Sequence, residues 1–89
     1  MEFEWDENKE RRNIEKHGID FDQAKSIWNG PILEVAGSHR SGEERVVAIG
    51  THEDICFAVV YTRRGEKIRI ISARRARRKE RAHYQNALR

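Results

Sequence analysis

The sequence predicts an α+β domain in which two N-terminal helices and one C-terminal helix pack against an antiparallel meander of strands. Residues 21–28 repeat apolar side chains at helical spacing, and residues 32–72 alternate apolar with polar side chains between short turns. A second helical stretch closes the chain. A length of 89 residues allows one core, so a single domain covering residues 1–89 is expected, with two layers and the helices on one face of the sheet.

The first element is a short strand around Phe3 and Trp5, whose side chains alternate with acidic residues. Asp6 is a suitable N-cap for a helix over residues 7–17, because its carboxylate can accept from free N–H groups of the first turn. Gly18 is a natural terminator, since glycine adopts the left-handed conformation without strain.

A second helix is predicted directly after the first. Asp20 can act as its N-cap, and the segment Asn29-Gly30-Pro31 ends it. Its apolar side chains recur at helical spacing and form one face, made of Phe21, Ala24, Ile27 and Trp28. Phe21 and Trp28 are the two large aromatic side chains of this face.

Beyond Pro31 the apolar period changes to two, which indicates strands. Short turns at 52–54 and 63–66 require antiparallel neighbours, and residues 37–43 are predicted to form a polar loop. The predicted strands are residues 32–36, 45–51, 55–62 and 67–72, followed by a helix over residues 77–88.

The charge is strongly polarised along the chain. Residues 1–62 carry a net charge of −6 and residues 63–89 a net charge of +9, with nine Arg and two Lys in the second segment. Arginine binds phosphate through two parallel N–H groups, so this preference favours a nucleic acid or an acidic protein as partner. A basic helix that is merely solvated is the simplest alternative. Membrane binding is not expected, because residues 76–88 lack a large apolar stripe opposite the charge.

The compartment follows from the cysteine count and the N-terminal segment. Cys56 is the single cysteine and can form no internal disulfide, which is typical of a reducing environment. The first ten residues are acidic and lack the apolar core of a secretory signal, and no apolar stretch approaches the ~20 residues that span a bilayer. A cytoplasmic location is therefore expected.

RNA cleavage without a metal needs a proton acceptor for the 2′-hydroxyl, positive charge around the phosphorane and a proton donor for the 5′-oxygen. The acids and histidines show no metal-ligand spacing, so no metal and no other cofactor is expected. Lys9, Asn13, Lys16 and the adjacent His17 share one polar face of the first helix, where the alternative is a solvated surface. On the last helix, Glu80 is either a proton acceptor or a structural ion-pair partner.

Two longer motifs resemble those of one protein family. Residues 3–18 match F-x-W-D-x-x-K-x-x-x-N-x-x-K-H-G, and residues 69–84 match R-I-I-S-A-R-x-A-x-x-x-E-R-x-x-Y. The chain resembles the BrnT family of type II toxin–antitoxin toxins, small ribonucleases with a RelE-like fold. The resemblance implies a toxin that cleaves RNA and inhibits translation, and a BrnA-like antitoxin that neutralises it. Promoter DNA is then contacted only through the antitoxin complex.

One position departs from that family pattern. Where the family often has a Thr that caps the last helix, this chain has Arg77, whose side chain has no acceptor and whose charge opposes the helix dipole. Either the helix begins elsewhere, with Ser72 helping to cap it, or Arg77 is held by a phosphate.

These patterns together predict two groups of site residues. The residues expected to take part in the chemistry are Lys16, His17, Arg74, Glu80 and Tyr84. The residues expected to contact RNA are Lys9, Asn13, Arg63, Arg64, Arg69, Arg75, Arg78 and Arg81. The alternative function is a non-catalytic module that binds nucleic acid or the antitoxin and acts as a transcriptional co-repressor.

Overall fold

A computed structural model describes residues 1–40 and 42–88 of the chain. The order of its elements is β-α-α-β-β-β-β-α, which confirms the predicted α+β class and element order. In the described ranges no helix is long and apolar enough to cross a membrane. The elements are β1 (Glu2–Trp5), α1 (Glu7–His17), α2 (Phe21–Lys25, continued by a 3₁₀ turn), β2 (Leu33–Arg40), β3 (Glu43–His52), β4 (Ile55–Arg64), β5 (Lys67–Arg75) and α3 (Arg78–Ala87).

The strands form one mixed sheet in the order β1-β5-β4-β3-β2. Strands β2 to β5 make the predicted antiparallel meander. β1 pairs with β5 in the parallel direction, with Phe3 opposite Ile68 and Trp5 opposite Ile70. The first strand of the chain therefore lies beside the last one.

The predicted polar loop over residues 37–43 is wrong for most of its length, and residue 41 lies outside the described residues. β2 continues to Arg40 and β3 already begins at Glu43, with a shift in register between Ala36 and His39. At Gly37 a Cβ atom would lie 2.8 Å from the carbonyl oxygen of Arg45, so glycine allows the two strands to stay close. Glycine and polar residues mark an irregular edge strand here.

The caps of the N-terminal helices are those expected from the sequence. The Asp6 carboxylate accepts hydrogen bonds from the N–H groups of Asn8 and Lys9, and Gly18 ends α1 with a φ of 70°. Asp20 caps α2 by accepting from the N–H group of Gln23 at 2.6 Å. These local interactions fix where α1 begins and ends, and therefore which of its residues face the sheet.

The helices cover both faces of the sheet, whereas the sequence analysis placed them on one. α2 and the 3₁₀ turn that continues it cover the face that carries Phe57 and Tyr61, and α3 covers the opposite face, where Tyr84 packs with Ile49. α1 lies along the edge of β5. The reason is that the central strands carry apolar side chains in both directions, as with the neighbours Ala48 and Ile49. A sheet that is apolar on both sides needs cover on both sides.

Asn13 joins α1 to β5 at the point where β1 has ended. Its amide nitrogen donates to the carbonyl oxygens of Ile19 and Ala73, both at 2.9 Å, and its amide oxygen accepts from the N–H group of Ala73 at 3.0 Å. Asn13 is only 5% exposed. Its side chain therefore satisfies both backbone groups of Ala73, as a neighbouring strand does elsewhere in the sheet.

We predict that Asn13→Ala lowers the free energy of unfolding by about 2–4 kcal/mol, because three buried backbone groups lose their partners. Urea denaturation followed by circular dichroism measures this change. Asn8→Ala on the exposed side of the same helix is the matched control and should stay within about 0.5 kcal/mol of the parent chain. Equal stability of the two variants contradicts the role given to Asn13.

Candidate functional site

An open cleft of about 390 Å³ lies between α1 and the second half of β5. We call it the cationic cleft, because five of its nine lining residues are Lys or Arg. α1 and β5 supply most of its walls, and the residue before α3 completes them. The lining residues are Lys9, Arg12, Asn13, Lys16, His17, Ile71, Ser72, Arg74 and Arg77.

Helical geometry explains why one wall is basic. Lys9, Arg12 and Lys16 are spaced three and four residues apart, so they share the face of α1 that Asn13 fixes against β5. Of the residues that the structure describes, none places a carboxylate oxygen within 4.0 Å of these three cations or of Arg77. Converging cations without counter-charges favour the binding of an anion.

Arg74 reaches the cleft because β5 carries an irregularity. Val60 of β4 pairs with Ser72, but the next residue, Tyr61, pairs with Ile70, so one extra residue is inserted in β5. The residues after the insertion change faces. Ala73 consequently enters the core, and Arg74 points to the face on which α3 lies.

Glu80 holds Arg74 in a fixed orientation. The two terminal nitrogens of the guanidinium donate to the two carboxylate oxygens of Glu80 at 2.7 and 2.9 Å. The carboxylate also accepts from the N–H group of Arg77 at 2.7 Å. The hydrogen bonds from Arg74, followed by that from the backbone of Arg77, lower the pKa of Glu80 to about 2, and the same pairing raises the pKa of Arg74. A carboxylate held this strongly is a poor proton acceptor near neutral pH, so its contacts are those of a positioning residue.

Arg77 is the N-cap residue of α3, in an extended conformation, and the helix itself begins at Arg78. The helix therefore starts within one residue of the predicted position, and the alternative that it begins elsewhere is wrong. Ser72 lines the cleft. Glu80 stabilises the first turn by accepting from the backbone of Arg77, since an arginine side chain cannot accept.

The structure brings together part of the expected catalytic set. Lys16, His17 and Arg74 line the cleft, and Glu80 adjoins it through Arg74. Tyr84 does not line the cleft; it is 4% exposed and donates its hydroxyl proton to the carbonyl oxygen of Pro31 at 2.7 Å. The hydroxyl of Tyr84 is thus used by the fold and does not reach the cleft.

Three of the expected RNA-contacting arginines lie towards the β4–β5 hairpin rather than at the cleft. Arg69 donates to Glu4 at 2.8 Å, and Arg63 lies 4.0 Å from Glu34. Arg64 lies opposite Lys67. Lys67 comes seven residues before Arg74 in β5, and seven residues of a strand span about 23 Å. These cations are separated from the cleft, and two of them are already paired with acids.

Two of the other expected RNA contacts line the cleft. They are Lys9 and Asn13, although the amide of Asn13 is engaged by the backbone. The remaining three do not line it: Arg75 is the last residue of β5, and Arg78 and Arg81 belong to α3, where Arg81 donates to the carbonyl oxygen of Ala76.

Sequence reasoning missed Arg12 and did not assign Arg77 to the binding set. Arg12 had a usable signal, because it lies three residues after Lys9 and four before Lys16 and so belongs to the same helical face. For Arg77 the sequence offered its charge and its departure from the family pattern at the start of the last helix, which left a contact with phosphate as one of two alternatives. Its place in the cleft depends on the extra residue in β5 and on the start of α3.

The sequence profile of the ribonuclease toxins BrnT, of type II toxin–antitoxin systems, matches residues 5–80. The chain belongs to this family. The matched segment contains every residue that lines the cationic cleft, and also Glu80. Membership confirms the resemblance seen in the two sequence motifs and implies an RNA substrate and an antitoxin partner for this BrnT family member. None of the curated proteins compared with the chain matches it.

We predict that Glu80→Gln destabilises the fold in a pH-dependent way. Because folding lowers the pKa of Glu80 from 4.5 to about 2, the carboxylate stabilises the fold above about pH 4.5, and this contribution is lost as the pH falls towards 2. At neutral pH the free energy of unfolding of the variant should be about 1–2 kcal/mol lower than that of the parent chain. This loss is smaller than the pKa shift alone suggests, because the pair is partly solvated. The difference should shrink by about pH 3.

Urea denaturation at the two pH values measures this effect, with Glu66→Gln in the exposed β4–β5 turn as the matched control. A loss of stability that is the same at both pH values contradicts the pairing of Glu80 with Arg74.

Proposed function

We propose that this chain is a metal-independent endoribonuclease toxin whose active site is the cationic cleft. The observation that carries the proposal is the convergence of five cations and His17 on one cleft within the segment that matches the ribonuclease family. The cations of the lining repel a divalent metal ion. Of the residues described, no three His, Cys, Asp or Glu side chains come together as a metal site does. The protein's own side chains then supply the charge and the proton transfers.

The reaction that fits this donor set is attack by the 2′-hydroxyl of RNA on the adjacent phosphorus. The 2′-oxygen forms a new bond to phosphorus while its proton passes to a base. The bond between phosphorus and the 5′-oxygen breaks, and the leaving oxygen takes up a proton. The products are a 2′,3′-cyclic phosphate and a 5′-hydroxyl. Guanidinium and ammonium groups stabilise the additional negative charge of the phosphorane.

The proton transfers are assigned to His17 and Lys16. The carboxylate of Glu80 is held by Arg74 and stays ionised, and the hydroxyl of Tyr84 donates to the backbone carbonyl of Pro31. His17 is the imidazole of the lining, and imidazole is the side chain that most often serves as a general acid or base in catalysis. Lys16 is its neighbour, and Arg74, oriented by Glu80, faces the phosphate.

The proposal includes the setting of the toxin. A BrnA-like antitoxin neutralises the enzyme in the cytoplasm, and the pair contacts promoter DNA through the antitoxin. Support comes from family membership and from the open, positively charged cleft, which an acidic segment of the antitoxin can occupy in place of RNA.

The central test is RNA cleavage by the purified chain in the presence of EDTA, compared between Arg12→Ala and Arg11→Ala. Arg12 lines the cleft and Arg11 does not, although the two are neighbours on α1 and both substitutions remove one charge. We expect cleavage to persist in EDTA, and Arg12→Ala to lower RNA affinity about tenfold through the loss of one charge-assisted contact. Arg11→Ala should behave as the parent chain.

Three outcomes count against the proposal: RNA that stays intact, cleavage that EDTA abolishes, or equal losses in the two variants. RNA that is bound but never cleaved identifies the chain as a binding module instead.

We predict that His17→Asn lowers kcat about a hundredfold or more and leaves RNA affinity nearly unchanged, because a proton-transferring group acts mainly in the transition state. His83→Asn on the exposed surface of α3 is the matched control and should keep full activity. Single-turnover cleavage of a labelled RNA separates binding from chemistry. A His17→Asn variant with parental kcat removes His17 from the mechanism.

A further inference from the structure

The cleft lining has little with which to recognise a base. Apart from the five cations and His17, it consists of Asn13, Ile71 and Ser72. The amide of Asn13 is occupied by three hydrogen bonds to the protein's own backbone. Ile71 offers only hydrocarbon, which leaves the Ser72 hydroxyl as the free polar group of this set.

Base discrimination needs paired donors and acceptors or a shaped stacking surface. The lining contains no Phe, Tyr or Trp, and apart from Ser72 and His17 its free polar groups are cationic donors. Acceptors are required to recognise the amino groups of adenine, cytosine and guanine, and the nearby carboxylate of Glu80 is engaged by Arg74. The chemistry of the lining therefore matches the phosphates, which all nucleotides share.

The cations extend over more than one phosphate. From Lys9 to Lys16 the wall of α1 runs for seven residues, about 10 Å of helix, and Arg74 and Arg77 lie on the other wall. A volume of about 390 Å³ is near the lower end of small-molecule sites, which suits a segment of one strand.

We propose that the cationic cleft binds single-stranded RNA through consecutive phosphates and leaves the bases unread, so that cleavage is nearly independent of base identity. The claim about cleavage rests on the proposed ribonuclease activity of the same cleft. The claim about binding does not require catalysis.

Binding is tested with 2′-O-methyl oligonucleotides of different base composition, which lack the attacking hydroxyl and cannot be cut. Affinities should agree within about fivefold across unstructured sequences, since a base read by a bidentate pair changes affinity by fivefold to more than a hundredfold. Annealing the complementary strand should weaken binding at least about tenfold. Tight binding of one base only, or equal binding of the duplex, overturns the inference.

The salt dependence tests the number of phosphates. Each phosphate contact on a single strand contributes about 0.7 to the slope of log K against log salt. Arg12→Ala and Arg77→Ala, on opposite walls, should each reduce the slope by about that amount, and Arg11→Ala should leave it unchanged. A slope that is unchanged in either cleft variant overturns the claim of consecutive phosphates.

Cleavage is then mapped on an unstructured RNA that contains every dinucleotide step. We expect cuts at all steps with rates within about fivefold. Cleavage at one step only overturns the inference while the proposed ribonuclease function stands. The opposite result is also informative. If the uncut analogue binds independently of its bases and RNA is never cleaved, the inference about binding is supported and the proposed ribonuclease function is wrong.

Discussion

The cleft depends on the hydrogen bonds between Asn13 and the backbone of Ala73. β1 stops at Trp5, so the second half of β5 has no strand on that side. A bare strand edge must be satisfied by water or by another part of the protein. Asn13 supplies one donor and one acceptor to a single residue and brings α1 alongside the strand. The basic face of α1 and the end of β5 consequently meet at a fixed distance, which neither element could achieve alone.

The pair Arg74–Glu80 has a related role at the other wall. Its geometry couples the orientation of an arginine to the start of α3, because Glu80 accepts both from Arg74 and from the backbone of Arg77. One cation of the cleft is therefore partly neutralised and held in place, and none of the other four has a carboxylate oxygen of the described residues within 4.0 Å of its charged group. In the proposed mechanism, a phosphate that enters the cleft meets one oriented guanidinium and several cations that no carboxylate holds, an arrangement suited to attracting and then aligning a substrate.

The sequence was informative wherever a local rule determined the structure. The caps at Asp6, Gly18 and Asp20 fix the helix ends through hydrogen bonds within a few residues, and they appear where expected. The strands of the meander followed from period and turn length. The parallel pairing of β1, the extra residue in β5 and the position of α3 could not be deduced in this way, because each depends on contacts between distant segments.

The residues of the candidate site could likewise be predicted only where a local rule applied. Lys9, Lys16 and His17 were found from helical spacing, whereas charge alone could not separate Arg74, which faces the cleft, from Arg63 and Arg69, which pair with acids elsewhere.

The parallel pairing of β1 with β5 also bears on the synthesis of the chain. One wall of the cleft is made near the N-terminus and the other near the C-terminus, and the strand that joins them pairs residues 65 positions apart, as with Phe3 and Ile68. Contacts of such long range form late, since the intervening chain must first be complete. A growing polypeptide on the ribosome carries α1 without its opposite wall. The cationic cleft is therefore assembled only once β5 has been synthesised, and a nascent chain that carries α1 alone has one of its two walls.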